Sequence, residues 1–368
     1  MMTPRERVLR AFKKQSGLPD RVPIQFDLCR GLLEHFGEKL KTPVRYTRNL
    51  FEDVTYRISG NEIRTAMGCD IVTVGAAQHA NFHPEISSDG SWLNEYGMRL
   101  KQGEIYVDLL SHPLAHAETI QDIEEYSFPD PAAPGRYDDV ELLVKQYKDT
   151  HFIVGDIEVT ILALARHLVG MEKLFMDMAA REDYIQPLLK ACAEFQTEIG
   201  LQLIQRGVDA IWAGDDFGSQ KGLLISEDMF EELIMPHYKT MVDRFKCANP
   251  SIIPILHSDG AISKLLPRIY DIGFEVFNPV QPGVPGHSPQ EIKQGFGDLF
   301  SFWGAIDQQY LLPKGSDAEL RADIEEKIAI LGKNRGYMIA PAHTIQADVS
   351  PERVEEFISI CTEAGVYR

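Results

Sequence analysis

Three short apolar runs in this chain end abruptly in side chains that can hold a metal or move a proton. Residues 251–256 (Ser-Ile-Ile-Pro-Ile-Leu) stop at His257-Ser258-Asp259-Gly260, residues 336–340 stop at Pro341-Ala342-His343, and residues 208–213 stop at Gly214-Asp215-Asp216. A buried strand that finishes in such groups is how an α/β barrel builds its active site, because the strand C-termini face one common mouth. His257 and Asp259 are two apart, so at a strand end they project to the same side and one ion can take both. His343 ends another strand, and imidazole with carboxylate suits zinc, which in a catalytic site needs about three protein ligands. The alternative is that both histidines only hydrogen-bond their own loops. Asp215 and Asp216 can share a proton, supply a ligand and its orienter, or cap a helix before Gly218. Adjacent residues point apart, so one of the two is expected to face the pocket.

These groups need elements to position them, and the chain supplies a regular alternation. Thr3, Pro4 and Glu6 mark the start of an N-terminal helix with Val8, Leu9 and Phe12 on its apolar face. Strands are expected at 22–26, 70–74, 152–154, 208–213, 252–256, 275–277, 299–303 and 337–340. Between them lie amphipathic stretches, the longest from about 183 to 206, with Ile185, Leu188, Leu189, Cys192, Phe195, Ile199 and Leu203 at helical spacing. Ser226, Ser288-Pro-Gln-Glu291, Ser316-Asp-Ala-Glu319 and Ser350-Pro351 read as helix starts. Eight strand–helix units predict a (β/α)8 TIM barrel with an N-terminal helical extension, as one domain over 1–368. Trp92, Leu93, Tyr96, Leu100, Ile105 and Tyr106, broken by Gly97 and Gly103, predict an antiparallel insertion after the second strand, over the mouth.

Other strand-end residues are polar in ways that suit substrate. Asn278 and Gln281 are neutral donors and acceptors at the sixth strand end, although Asn278-Pro279 equally suits a turn. Asp27 and Arg30 follow the first strand. Asp307 follows the seventh and either lines the pocket or caps the helix after Gln308. His79 and His83 have a helical metal spacing, but Pro84 and loop-like surroundings speak against it.

Composition bounds the function. The 368 residues are 44% hydrophobic, enough for a full core, and carry a formal charge of −18, which argues against a nucleic-acid partner. No apolar run reaches membrane-spanning length, and the start lacks a signal-peptide stretch, so neither a membrane nor secretion is expected. Cys29, Cys69, Cys192, Cys247 and Cys361 are scattered, which fits a reducing cytoplasm and excludes a four-thiolate site. A Gly-rich phosphate loop, a G-x-S-x-G elbow and an Asp-x-His-x-x-Gly cobamide segment are all absent.

The sequence resembles the uroporphyrinogen decarboxylase superfamily over nearly its whole length. The residues that carry the resemblance are Thr3-Pro-Arg-Glu-Arg-Val-Leu-Arg10 with Asp20-Arg-Val-Pro23, and Gly207-Val-Asp-Ala-Ile211 followed by Ile225-Ser-Glu-Asp-Met-Phe230 and Pro236. His257-x-x-Gly260 then precedes Gly273-Phe-Glu-Val-Phe-Asn278. The resemblance implies a (β/α)8 barrel with its cleft at the strand C-termini. It covers two chemistries, decarboxylation of a porphyrinogen and metal-assisted methyl transfer to or from a corrinoid. Decarboxylases of the family carry an Arg-rich segment where this chain has Asp27-Leu-Cys-Arg30-Gly31. They carry a Phe-Ser-Asp-Ile-like segment where it has Thr73-Val-Gly-Ala-Ala77. The strand ends here are acidic (Asp27, Asp156, Glu158, Asp215, Asp216, Asp259, Asp307) against Arg30 and Lys221, and would repel a substrate with eight carboxylates.

The methyltransferase branch looks like it binds zinc through His-x-Cys and a later Cys, and the matching positions here are His257, Asp259 and His343. Carboxylate and imidazole in place of thiolates make a harder Lewis acid, matched to an oxygen- or nitrogen-bearing methyl donor such as an ether, with a thiol not excluded. The resulting expectation is a zinc-dependent methyltransferase. It would pass a methyl group between a small molecule and a corrinoid carried by a separate protein, with a homodimer left open. Asp215, Asp216 and His257 are the expected catalytic groups, and His257, Asp259 and His343 the expected ligands. Asp27, Arg30, Asn278, Gln281 and Asp307 are the expected substrate contacts. A decarboxylase-like activity and an inactive small-molecule-binding barrel remain the alternatives.

Overall fold

The computed structural model describes residues 2–51, 56–103 and 107–367. Ten strands are defined among them. In chain order they are β1 (Ile71–Gly75), β2 (Ser91–Leu93), β3 (Arg99–Gln102), β4 (Val107–Ser111) and β5 (Phe152–Glu158), then β6 (Ala210–Gly214), β7 (Ile253–His257), β8 (Val276–Val280), β9 (Ser301–Ile306) and β10 (Tyr337–Pro341). Seven of them, in the order β1-β5-β6-β7-β8-β9-β10, form one parallel sheet. Their near-continuous Val/Ile/Leu/Ala content follows from burial on both faces, helices outside and side chains packed inside. The architecture is TIM-barrel-like.

Residues 22–26, expected as the first strand, pair more sparsely. Gln25 N–H donates to Ile339 O at 3.0 Å and Ile339 N–H to Pro23 O at 3.0 Å on the β10 side, while Asp70 N–H donates to Ile24 O at 2.9 Å beside β1. The segment thus bridges the two ends of the sheet. Pro23 removes one ladder donor, and this is why the pairing is sparse. Strands β2, β3 and β4 make a separate antiparallel sheet between β1 and β5 in the chain. Trp92, Leu93 and Leu100 lie on it as expected, Tyr96 lies in the turn between β2 and β3, and Ile105 and Tyr106 lie outside the described residues.

Buried ion pairs fix the floor of the barrel. The N-terminal helix Pro4–Ala11, capped by the Thr3 hydroxyl, directs Arg7 at both Asp20 and Asp70 and Arg5 at Asp209. Asp70 also pairs with Arg21 at 2.8 Å and accepts the Ile24 N–H at 2.7 Å, which ties residues 22–26 to the start of β1. Asp209 does the same one unit along, accepting Ile153 N–H at 3.0 Å. Inside the barrel, Trp212 and Trp303 meet edge to face at 4.4 Å, and the Trp303 indole N–H donates to Gln25 Oε1 at 3.0 Å.

Removing one partner of a buried pair leaves a bare charge, which typically costs about 3–5 kcal/mol. Asp70→Ala should therefore lower unfolding free energy by roughly 3 kcal/mol in urea titration, and a loss below about 1 kcal/mol would show that Asp70 is not the tie between the sheet ends.

A second expectation concerns acid. His287 is buried with its Nε2 accepting Ile262 N–H at 3.2 Å, and burial holds its imidazole down to about 4. The unfolded chain binds this proton near pH 6.5, so stability falls as pH drops from about 6.5 to about 4, on the order of 2 kcal/mol. In His287→Gln, whose amide oxygen can still accept, urea midpoints between those pH values should fall less steeply than in the parent.

Candidate metal centre at the barrel mouth

β6 and β7 run side by side with Gly214 opposite His257, so the loops that follow them leave the sheet together. They are stitched along their length. Asp215 N–H donates to His257 O at 3.1 Å, Phe217 N–H to Ser258 Oγ at 3.0 Å, Asp259 N–H to Asp216 Oδ1 at 3.0 Å and Ala261 N–H to Ser219 O at 2.9 Å. Such a close approach needs glycine. Gly260 has φ +87°, and a Cβ there would collide with the Gly218 backbone. Gln281, from the loop after β8, accepts Gly260 N–H at 2.7 Å and pins the turn from the other side.

The stitching brings Asp216, His257 and Asp259 together, with one ligand atom of each within 4.8 Å of the others. His257 Nδ1 lies 2.7 Å from Asn278 Oδ1. The amide oxygen only accepts, so Nδ1 carries the proton and Nε2 keeps a free lone pair. That nitrogen faces acid, with Asp216 Oδ1 at 4.0 Å and Glu158 Oε1 at 3.8 Å. Burial pushes the His257 imidazole below its ordinary range against the pull of Asp216, so the ring is neutral near pH 7. Burial, then Asp216, pushes the Asp259 carboxyl up to about 6. A neutral imidazole lone pair beside the Asp216 and Asp259 carboxylates is a donor set for a divalent cation, and one nitrogen with oxygens suits zinc.

The other expected residues fall into three groups. His343 stands outside the close trio but near enough that Asp259 and His257 both act on it, and burial lowers its pKa. Asn278 and Gln281 touch the site through His257 and Gly260. Asn278 ends up within β8, and its bond to Pro279 is cis. Asp27 is buried and paired with Arg57 at 3.4 Å and with Arg64, inside the barrel rather than at its rim.

Three expectations are corrected. Arg30 opens the helix Arg30–Leu40, whose buried face carries Leu32, Leu33 and Phe36, so Arg30 points to solvent and pairs with Glu34 at 2.8 Å. Asp307 accepts Gln309 N–H at 2.7 Å and Tyr310 N–H at 3.2 Å, so its side chain closes the turn before the helix Leu311–Lys314, close to the capping alternative though not the helix cap itself. Asp215 faces away from the trio. Its carboxylate accepts the N–H groups of Ile161, Leu162 and Ala163 at the start of the helix Leu162–Val169, and the Tyr238 hydroxyl at 2.7 Å. His79 and His83 lie in a loop.

Two residues gain a role that sequence reasoning did not give them. Arg57, fully buried, stacks over Trp212 at 4.4 Å and pairs with Glu158 and, at 3.7 Å, Asp156. Trp212 in turn stacks on His257 at 5.6 Å. Glu158 reaches His257 because Gly214 is bare: a Cβ there would lie 2.7 Å from Glu158 Cγ.

The two adjacent aspartates should separate cleanly. Asp215→Ala strands three buried N–H groups and a hydroxyl, at about 1–3 kcal/mol for a group left unsatisfied. We expect it to lower stability by roughly 2–4 kcal/mol in urea titration. Asp216→Asn removes a repulsive charge and should leave stability within about 1 kcal/mol while weakening zinc binding at least about 10-fold by calorimetry. Full zinc affinity in Asp216→Asn would show that the trio is not the cation site.

Comparison with known proteins fits this picture. The family model for uroporphyrinogen decarboxylase (URO-D) matches residues 93–364. The chain is similar to the methylcobamide:CoM methyltransferase MtbA of Methanosarcina mazei, at 24% identity over 167 residues, 45% of this chain and 48% of that protein. It is also similar to the methylated-thiol--coenzyme M methyltransferase of the same organism, at 22% identity over 209 residues, 56% and 52% of the two chains. The matches thus span about half the length of these curated relatives. Among solved structures, a methyltransferase from Methanosarcina mazei superposes with a TM-score of 0.72 over 99% of both chains at 16% identity, a likeness of fold.

Proposed function

The chain belongs to the uroporphyrinogen decarboxylase (URO-D) family, and we propose that within it this protein is a zinc-dependent methyltransferase. It would move a methyl group between a small methylated substrate and a corrinoid carried by a separate protein, in the cytoplasm. The observation that carries the reading is the free Nε2 of a neutral His257 facing Asp216 and Asp259, in a chain whose curated relatives are named as methyltransferases acting with a cobamide or a methylated thiol.

A zinc ion held there would polarise the substrate heteroatom as a Lewis acid. The residues around it do the rest. Asn278 fixes the tautomer and orientation of His257. Gln281 and the Gly218–Gly260 contact hold Asp259 and Asp216 in register. A reduced corrinoid on a partner protein would supply the electron pair for the new bond to the methyl carbon, and the heteroatom would keep the pair of the bond that breaks. The heteroatom is then neutralised by a proton from solvent. The same rim disfavours porphyrinogen decarboxylation, since Asp156, Glu158, Asp216 and Asp259 would face a polycarboxylate.

Metal analysis with a corrinoid-methylation assay tests the proposal. Purified protein should hold near-stoichiometric zinc, His257→Ala should lose both zinc and methyl transfer, and Asp259→Ala should do likewise. His343→Ala, outside the trio, should lose less zinc than either. Full zinc and activity in His257→Ala would overturn the site. Carbon dioxide release from uroporphyrinogen at on the order of 1 per second would overturn the activity.

A further inference from the structure

Beside the metal centre lies a cavity of about 290 Å³ that none of the residues discussed so far explains. It sits between the mouth end of β5 and the antiparallel sheet. Its walls are mostly apolar, built from Leu50, Phe51, Ile58, Tyr96, Leu100 and Ile199. Asp156 and Glu158 form the side nearest the centre, and Glu158 is the carboxylate 3.8 Å from His257 Nε2. The cavity and the centre therefore share a wall. The size suits a one-ring molecule.

Two polar groups break the apolar lining. Arg166, on the helix that Asp215 caps, lines the cavity, and among the described residues its guanidinium has no ion-pair or hydrogen-bond partner. The Asn49 amide oxygen, also in the lining, is buried without a partner. Arg166 is half-buried, so its guanidinium is not stranded, but it is open to an anion in the cavity and its planar fork matches a carboxylate. Asp156 and Glu158 on the side nearest His257 are already paired with Arg57, so Arg166 is the cation left for an anionic ligand, whose neutral end then points toward Glu158.

The walls also carry rings. Phe51 lies 4.7 Å from His167 and 5.9 Å from Tyr96, and burial keeps His167 uncharged. Three rings on one surface favour a flat aromatic body over a flexible chain, because edge and face contacts are available without loss of rotatable bonds.

We propose that this cavity is the substrate subsite, and that the substrate is a small aromatic acid bearing a methylated heteroatom, with its carboxylate on Arg166 and its methyl group presented at the Asp216–His257–Asp259 centre. The inference rests on the methyltransferase reading for the identity of the methyl group but not for the binding site.

Binding to the zinc-loaded full chain can be measured by calorimetry with 4-methoxybenzoate, anisole and propanesulfonate. We expect saturable one-to-one binding of 4-methoxybenzoate. Arg166→Met should weaken it about 10-fold or more, the scale of a lost charge-assisted hydrogen bond, while leaving anisole unchanged. Arg166→Lys should fall between, and Ala76→Leu, which fills the lining, should block both aromatic probes; circular dichroism checks that each variant is folded. No binding of 4-methoxybenzoate, an unchanged affinity in Arg166→Met, or tighter binding of propanesulfonate would each overturn the proposal. The two readings fail separately. Saturable, Arg166-dependent binding without corrinoid methylation overturns the methyltransferase and leaves the subsite standing. Corrinoid methylation from any donor at full rate in Ala76→Leu overturns the subsite and leaves the methyltransferase.

Discussion

Uneven charge compensation at the end of the barrel organises the rest of this structure. Asp156, Glu158, Asp216 and Asp259 converge there, with Asp27 deeper in the barrel beneath them. Two guanidiniums, Arg57 and Arg64, lie almost wholly buried among Asp27, Asp156 and Glu158, at 3% and 2% side-chain exposure. A buried charge is tolerated only when paired, and each of these arginines holds a carboxylate that would otherwise be forced to take up a proton. Among the described residues no arginine forms an ion pair with Asp216 or Asp259, and at Asp259 the pull of His343 and Arg57 is outweighed by burial and by Asp216. The two carboxylates face a neutral imidazole, and burial, then the charge of Asp216, pushes the Asp259 carboxyl up to about 6. A divalent cation is the species that would reverse that shift. The sheet supplies compensation on one side of His257 and withholds it on the other.

The same economy appears in the paired aspartates after β6. Because successive residues face opposite ways, a single dipeptide serves two tasks. Asp215 turns outward to clamp the first turn of the helix Leu162–Val169 and the Tyr238 hydroxyl, which locks the loop after β5 to the loop after β6. Asp216 turns inward and accepts the Asp259 N–H. The clamp therefore sets the position of the helix that carries Arg166, and the ligand-side residue is held by the same backbone. Stability and site geometry are coupled through one peptide unit.

Much of this was legible in the sequence, and what was not has definite causes. Runs of buried apolar residues ending in His257, His343 and Asp215-Asp216 located the mouth, and capping boxes at Ser288 and Ser316 form as their residue spacing requires. Strand-end placement, however, says nothing about how far each loop turns inward. This is why Asp216 rather than His343 joins His257 and Asp259 in the close trio. Arg30 could have been read correctly, since its helical phase sets it with Glu34 opposite Leu33 and Phe36. Arg57 could not: it sits outside any periodic segment, and its partners are about 30 and 100 residues away in sequence, joined only by the closed sheet. Residues 22–26 read as a strand and behave as one in their hydrogen bonds to β10, yet Pro23 keeps the pairing too sparse for a regular element.

The antiparallel sheet shows how the mouth becomes a chamber. Strand-end carboxylates on an open barrel would be screened by water, and their mutual repulsion would be weak. Here Leu100 of β3 and Val107 and Leu109 of β4, with Phe51 and Tyr96, line the side of the mouth beside β5 and reduce the solvent next to Glu158. Lower local polarity strengthens every interaction left inside, including the pull of Asp216 and Asp259 on a cation and of Arg166 on an anion. Arg166 and the carboxylate Glu158, which lies 3.8 Å from His257 Nε2, line the same space. A ligand that bridges them must carry an acid at one end and a neutral, electron-rich atom at the other. On the substrate reading proposed above, the insertion is the element that would give an acidic barrel mouth an apolar wall against which an anionic molecule can rest.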